Sequence, residues 1–120
     1  MKLIRASQIK GEKRADGRTV KKLLELAFDE PVDSMVIYLC EVPSGKFGEH
    51  YHSECQEIIC FPNGGKITVN GETYQMESWD MVLLDVGDVH GYEGDECPDI
   101  LHFAIKLPNR DDKIRVGSSR

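Results

Sequence analysis

The chain has 120 residues, 40% hydrophobic and 30% charged, which suits one domain and excludes a second core of ordinary size. Fifteen basic against twenty-one acidic side chains leave a net charge of −6, a poor basis for nonspecific binding to nucleic acid or an anionic membrane. No apolar run approaches the ~20 residues that span a bilayer, and residues 1–14 lack the apolar stretch of a secretory signal. A soluble, cytoplasmic protein with neither nucleic acid nor membrane as partner is the expectation.

Residues 1–22 carry eight basic and two acidic side chains, so this arm holds +6 and the rest of the chain −12. The arm has no aromatic residue to stack on bases, and it is expected to pack on its own acidic body or on a partner subunit. Residues 19–28, TVKKLLELAF, set Val20, Leu23, Leu24 and Ala27 on a helical stripe. The neighbouring strand patterns and the following Asp29-Glu30-Pro31 favour an edge strand there instead, and both readings stay open. Beyond this point the periodicity is that of strands, over residues 34–42, 57–61, 66–69, 72–76, 81–84 and 100–105. Asn63-Gly64 and Asn70-Gly71 fall between such runs, and type I′ hairpin turns demand residues of this kind because both central positions take positive φ. Short strands at such spacing predict an all-β, antiparallel sandwich or barrel. Residues 110–120 are polar and expected to be loose. The four cysteines form no CxxC pair and are expected to be reduced, with Cys40 and Cys60 in the core.

The chemistry centres on His50-Tyr51-His52. Alternate side chains of a strand leave the same face, so two imidazoles point into one space and form half of a site for a borderline metal ion. Glu54 and Glu57 follow, and Glu54 continues the two-residue period from the histidines. A third imidazole, His90, comes after the turn-like Asp85-Val86-Gly87-Asp88. Cys55 could add a thiolate, which would favour zinc. Two further residues are candidates for catalysis. His102 is exposed if Leu101, Phe103 and Ile105 face the core, and otherwise lines a pocket as an acid or base; Tyr38 lies on an apolar strand and fits packing better. Glu49, Glu54, Asp85 and Asp88 flank the histidines, which argues against a highly anionic substrate unless a metal dominates the field.

The wider spacing, Gly45-(4 residues)-His50-Tyr51-His52-(4 residues)-Glu57-(6 residues)-Gly64, resembles the first motif of the cupin superfamily, with one residue fewer after Gly45. A looser likeness to the second motif runs Trp79-(5 residues)-Asp85-Val86-Gly87-(2 residues)-His90-(3 residues)-Gly94, where Trp79, Asp85 and Gly94 replace the usual Gly, Pro and Asn. The resemblance implies a small single-domain jelly-roll barrel over residues 34–107, with residues 1–33 as the basic arm and edge strands and residues 108–120 as a polar tail. It also implies that His50, His52, Glu57 and His90 hold a divalent Fe, Mn, Ni, Zn or Cu ion, leaving two positions of an octahedron open. Similar proteins include dioxygenases, decarboxylases and isomerases of small polar molecules, small-molecule-binding modules, and homodimers in which an amino-terminal strand can be exchanged. The resemblance therefore implies a metal site and a small-molecule ligand and leaves the reaction open.

Overall fold

Short alternating runs become twelve strands in the computed structural model, which describes residues 1–42, 48–91 and 100–116. Gly45, Gly94, Cys97 and the last four residues lie outside that range. The strands are β1 (Lys2–Ile4), β2 (Glu12–Lys13), β3 (Thr19–Val20), β4 (Val36–Val42), β5 (His50–His52), β6 (Gln56–Phe61), β7 (Gly65–Val69), β8 (Glu72–Met76), β9 (Asp80–Leu84), β10 (His90–Gly91), β11 (Ile100–Leu107) and β12 (Lys113–Arg115). Two five-stranded antiparallel sheets face each other, ordered β1-β9-β6-β11-β4 and β12-β5-β10-β7-β8, while β2 and β3 form a separate ribbon. This is the expected all-β jelly-roll barrel.

The registers show what lies inside. Across the first sheet, Val82, Ile59, Ala104 and Tyr38 stand side by side facing the second sheet, with Leu84, Glu57, Lys106 and Val36 as the next inward row. Ile59, Phe61, Ile67, Val69, Met76, Val82, Leu84 and Ala104 close one end of the barrel as a dry cluster. Full burial of each large member of that cluster is worth about 1.5–3 kcal/mol. Toward β4, β5 and β12 the inward positions turn polar, and there the barrel holds a cavity rather than a core.

Two turn readings part company. Asn70 (φ 49°) and Gly71 (φ 87°) make the expected two-residue link between β7 and β8, with Val69 paired to Glu72. Asn63-Gly64 does not make a hairpin. Pro62 precedes it, Gly64 (φ 80°) donates its N–H to Phe61 O at 3.1 Å, and the chain turns a corner from the first sheet into the second. A proline second in the turn fixes φ near −65°, which excludes the type I′ geometry.

Three other expectations change. Residues 19–28 are neither a helix nor a full strand: only Thr19 and Val20 pair, with β2, and residues 21–28 have no regular structure. Apolar spacing alone does not make a helix when no surface is offered to its whole stripe. Residues 113–115 of the expected loose tail are ordered, since β12 pairs with β5 as the edge of the second sheet. Leu101, Phe103 and Ile105 face outward, and His102 faces in, buried. The basic arm is tied to the body of its own chain: β1 pairs with β9, the Met1 ammonium lies 3.1 Å from Asp88, and Arg5 lies 2.8 Å from the buried Asp80.

Trp79 occupies a left-handed backbone position, φ 70°, with its ring more than half exposed. A side chain there costs about 1–2 kcal/mol relative to glycine, against the ~0.5–1 kcal/mol that glycine loses in chain entropy. Trp79→Gly is therefore expected to raise the melting temperature by about 2–5 °C in calorimetry. A lower melting temperature would mean that indole contacts outweigh the backbone strain.

Candidate metal centre

Strand alternation on β5 sends His50 and His52 inward and Tyr51 outward. The β10 ladder sets His90 directly opposite His50, and their rings lie 4.4 Å apart. Glu57 comes from β6 in the facing sheet. The ligand atoms of these four residues all lie within 4.8 Å of one another. All four expected side chains thus converge, three from one sheet and one from the other. Glu54 is exposed and lies outside the group, and Cys55 belongs to a different cluster with Asp112.

The buried polar atoms make this a site rather than a mere gathering. Glu57 Oε1 is 3.0 Å from His90 Nε2 and 3.4 Å from His52 Nε2, yet all three atoms are buried without a hydrogen-bond partner. Leaving such groups unsatisfied costs about 1–3 kcal/mol each. The other ring nitrogens are engaged: His52 Nδ1 lies 3.0 Å from Asp112 Oδ1, and His90 Nδ1 lies 3.0 Å from the Asp88 carbonyl. An ionised carboxylate and a carbonyl only accept, so both Nδ1 atoms carry a proton and, in the neutral rings, both Nε2 lone pairs point at Glu57. Two lone pairs and a carboxylate oxygen aimed at one point, with the imidazoles fixed from behind, is the donor set a divalent cation satisfies.

Asp112 is the residue that sequence reasoning missed. Its carboxylate accepts from the backbone N–H groups of Glu54 (2.8 Å) and Cys55 (2.9 Å) as well as from His52, and the Lys106 ammonium lies 3.5 Å away. Burial alone would raise this carboxyl; the N–H of Glu54 and the hydrogen bonds from His52 and Cys55 outweigh it and hold the group well below the usual carboxylate range. Asp112 sits 60 residues from His52, in a stretch with no motif. The only signal was a carboxylate just ahead of an alternating Lys113-Ile114-Arg115.

Electrostatics divide the histidines. Burial pushes His50 down to about 3, with the neighbouring His90, Lys113 and His52 adding to the effect, so it stays a neutral lone-pair donor. His52 is raised, chiefly by Glu57 and against its own burial, with Asp112 adding to the effect. Burial raises Glu57 as well, but the facing His52 and His90 imidazoles prevail and bring it to about 2. The Cys55 thiol, pushed up to about 12 by burial and by Asp112, is a buried thiol and not a ready ligand.

The four residues open into a cavity of about 700 Å³ that also receives Tyr38, His102, Lys106, Lys113 and Arg115. His102 is 3% exposed and lowered to about 4 by burial, which corrects the expectation that it faces solvent. Tyr38 stands half-exposed at the mouth. Glu49, Glu54, Asp85 and Asp88 do not line this cavity; Glu54 and Asp85 border a separate crevice of about 570 Å³, and Asp88 pairs with the Met1 ammonium and Asn70.

The architecture is the double-stranded β-helix of the cupins. The protein is similar in structure to an uncharacterized conserved protein with a double-stranded β-helix domain from Klebsiella pneumoniae, at 14% identity over 96% of this chain and 91% of that one, TM-score 0.61. It is also similar to Pac13, a nucleoside dehydratase from Streptomyces, at 14% identity over 94% and 88% of the two chains, TM-score 0.60. A salicylate 1,2-dioxygenase from Pseudaminobacter salicylatoxidans matches at 15% identity over 62% of this chain and 21% of that one, TM-score 0.52. No family model and no curated protein matches the sequence. Among the described residues, no helix is long and apolar enough to cross a membrane.

Proposed function

We propose that this protein is a metal-dependent enzyme acting on a small polar molecule, with His50, His52, Glu57 and His90 as the ligands of a divalent first-row ion. The observation that carries this reading is the set of buried, unsatisfied atoms, His52 Nε2, His90 Nε2 and Glu57 Oε1, facing one another at the head of a roomy cavity. An ion bound there supplies Lewis acidity to a substrate oxygen. The rest is done by the protein. Asp112 and the Asp88 carbonyl fix the imidazoles, and the apolar cluster keeps water from the closed end of the barrel. His102 and Tyr38 are among the residues that line the cavity; with His102 brought down to about 4, it would meet a ligand as a neutral hydrogen-bonding group rather than as an acid. The free thiols of Cys40, Cys55 and Cys60 fit a reducing compartment, the cytoplasm.

The neighbours of this fold include a dioxygenase and a nucleoside dehydratase, so oxidative and non-oxidative chemistry are both to be tested. Elemental analysis of the full chain, followed by anaerobic reconstitution with Fe(II), Mn(II), Ni(II) or Zn(II), is the experiment. Stoichiometric metal with turnover of a panel of hydroxy acids, phenols and sugars supports the reading, and oxygen uptake separates dioxygenation from dehydration or isomerisation. Loading without turnover on any of them would favour a binding module or a metal staple. The staple has one observation of its own, since the ligands come from both sheets.

We further propose a homodimer. Among the described residues the seven-residue β4 is the open edge of the first sheet, and its outer face is apolar at Ile37 and Leu39, which are 56% and 59% exposed and stand beside Ile105 and Phe103. Apolar edges invite pairing, and the same strand of a second copy complements this one across a two-fold axis. Leu39→Lys is expected to convert a sedimenting dimer into a monomer with unchanged metal content. A monomeric parent protein overturns the proposal.

A further inference from the structure

We infer that the ligand of this cavity is a small organic carboxylate, recognised by Lys113 and Arg115 on β12; the inference rests on the proposed metal site and names the substrate class for it. The register carries the argument. Lys113 pairs with His52 and Arg115 with His50, so both cations share the inward face of the histidines while Ile114 stays outside with Tyr51. Directly opposed residues place their Cβ atoms about 4.5–5.5 Å apart, which puts an ammonium and a guanidinium within reach of whatever lies over the two imidazoles. Both line the cavity, and the Lys113 charge is felt at His50.

The second observation is that these two cations have no partner among the described residues. Some basic side chains elsewhere find acids, Arg5 with Asp80, Arg18 with Asp16, Lys22 with Glu25, Arg110 with Asp33, and Lys106 near Asp112. What sets Lys113 and Arg115 apart is their place, side by side on the lining of one cavity and on the face of the histidines. The acids of the same lining are Glu41, Asp111 and Glu57. Glu57 is turned to the histidines, so it balances the proposed ion and not the cations of β12. Glu41 and Asp111 form no ion pair with either cation among the described residues, and a carboxylate offers the two cations a shared partner. Its two oxygens accept in parallel from a guanidinium, and a neighbouring oxygen of the same small molecule can turn toward the histidines.

The test uses the full chain loaded with Co(II), whose absorption reports on the site, titrated with benzoate and with its uncharged isostere benzamide. Benzoate is expected to bind about tenfold more tightly, the worth of one charge-assisted hydrogen bond. The exposed pair Lys113→Gln, Arg115→Gln should erase that preference and its dependence on salt, while cobalt stoichiometry and spectrum stay as in the parent; Arg115→Lys should restore part of it. Equal affinity for acid and amide, or a preference that survives the double substitution, overturns the inference and leaves the metal site standing, with the cations then satisfied by the chain's own acids. Failure to load cobalt is a separate result that removes the proposed function. The benzoate–benzamide contrast, read on the metal-free chain by NMR shifts of β12, then decides the carboxylate inference alone.

Discussion

Asp112→Ala is expected to lower the melting temperature by roughly 10–15 °C and to weaken metal binding by about 10–100-fold. Four donors converge on this carboxylate: the N–H groups of Glu54 and Cys55, His52 Nδ1 and the Cys55 thiol. Its side chain is fully buried, so removal leaves donors that water reaches poorly. At about 1–3 kcal/mol for each stranded group, a total near 3 kcal/mol is a conservative sum. The metal effect follows from the tautomer, because without its acceptor the His52 ring can rotate or move its proton to Nε2. Asp112→Asn separates the two consequences. It keeps an oxygen for the backbone donors and so loses less stability, but it withdraws the negative charge behind His52, and metal affinity should still fall. An Asn variant that binds metal like the parent would remove Asp112 from the site's support. The pH dependence has a definite sign. A carboxyl lowered in the folded state contributes its stability above its unfolded value, near 3.9, and loses it only as pH falls through the folded value. The gap between parent and Ala variant should therefore persist at pH 5 and narrow only in strong acid, which urea melts at a series of pH values will read.

What could be read from the chain, and what could not, divides along physical lines. His50 and His52 were legible because a two-residue period is a property of the strand itself. The Asn70-Gly71 turn was legible because positive φ at both positions narrows the choice of residue, and here both take it. Alternation also split β11 correctly into Leu101, Phe103 and Ile105 on one face and His102, Ala104 and Lys106 on the other. It did not say which face looks inward. The usual assumption, apolar in and polar out, fails because this barrel encloses a polar cavity and carries an apolar outer face at Ile37, Leu39 and Phe103. The acids near the motif misled for a related reason. Nearness in sequence set Glu49, Glu54, Asp85 and Asp88 around the histidines, whereas strand alternation and the turn around Gly87 turn them away from the cavity. Asp112, Lys113 and Arg115 were illegible because the β12–β5 pairing that gives them meaning spans some 60 residues and leaves no local pattern.

Glu57→Gln is expected to abolish metal-dependent stabilisation altogether. In the parent, a saturating ion should raise the melting temperature, by about 2.7 kcal/mol of added stability at one hundred times the dissociation constant, or roughly 8–15 °C. The ion would join Glu57 on the first sheet to three imidazoles on the second, so opening the barrel would require breaking its bonds to one side. Glutamine keeps the volume but presents a neutral oxygen, and its amide nitrogen is a donor where an ion needs an acceptor. The variant should nonetheless fold, since glutamine keeps the volume of the side chain. It should melt somewhat below the metal-free parent, because the attraction between Glu57 and the imidazoles of His52 and His90 is lost, while showing no shift with Mn(II), Co(II), Ni(II) or Zn(II). Proton competition supplies a second readout. His52 is raised toward its charged form by Glu57, so in the parent a cation must displace that proton, and affinity should fall as pH drops below neutrality. Differential scanning fluorimetry of both proteins across pH and metal decides the matter: an equal shift in the two would place the ion somewhere other than between the sheets.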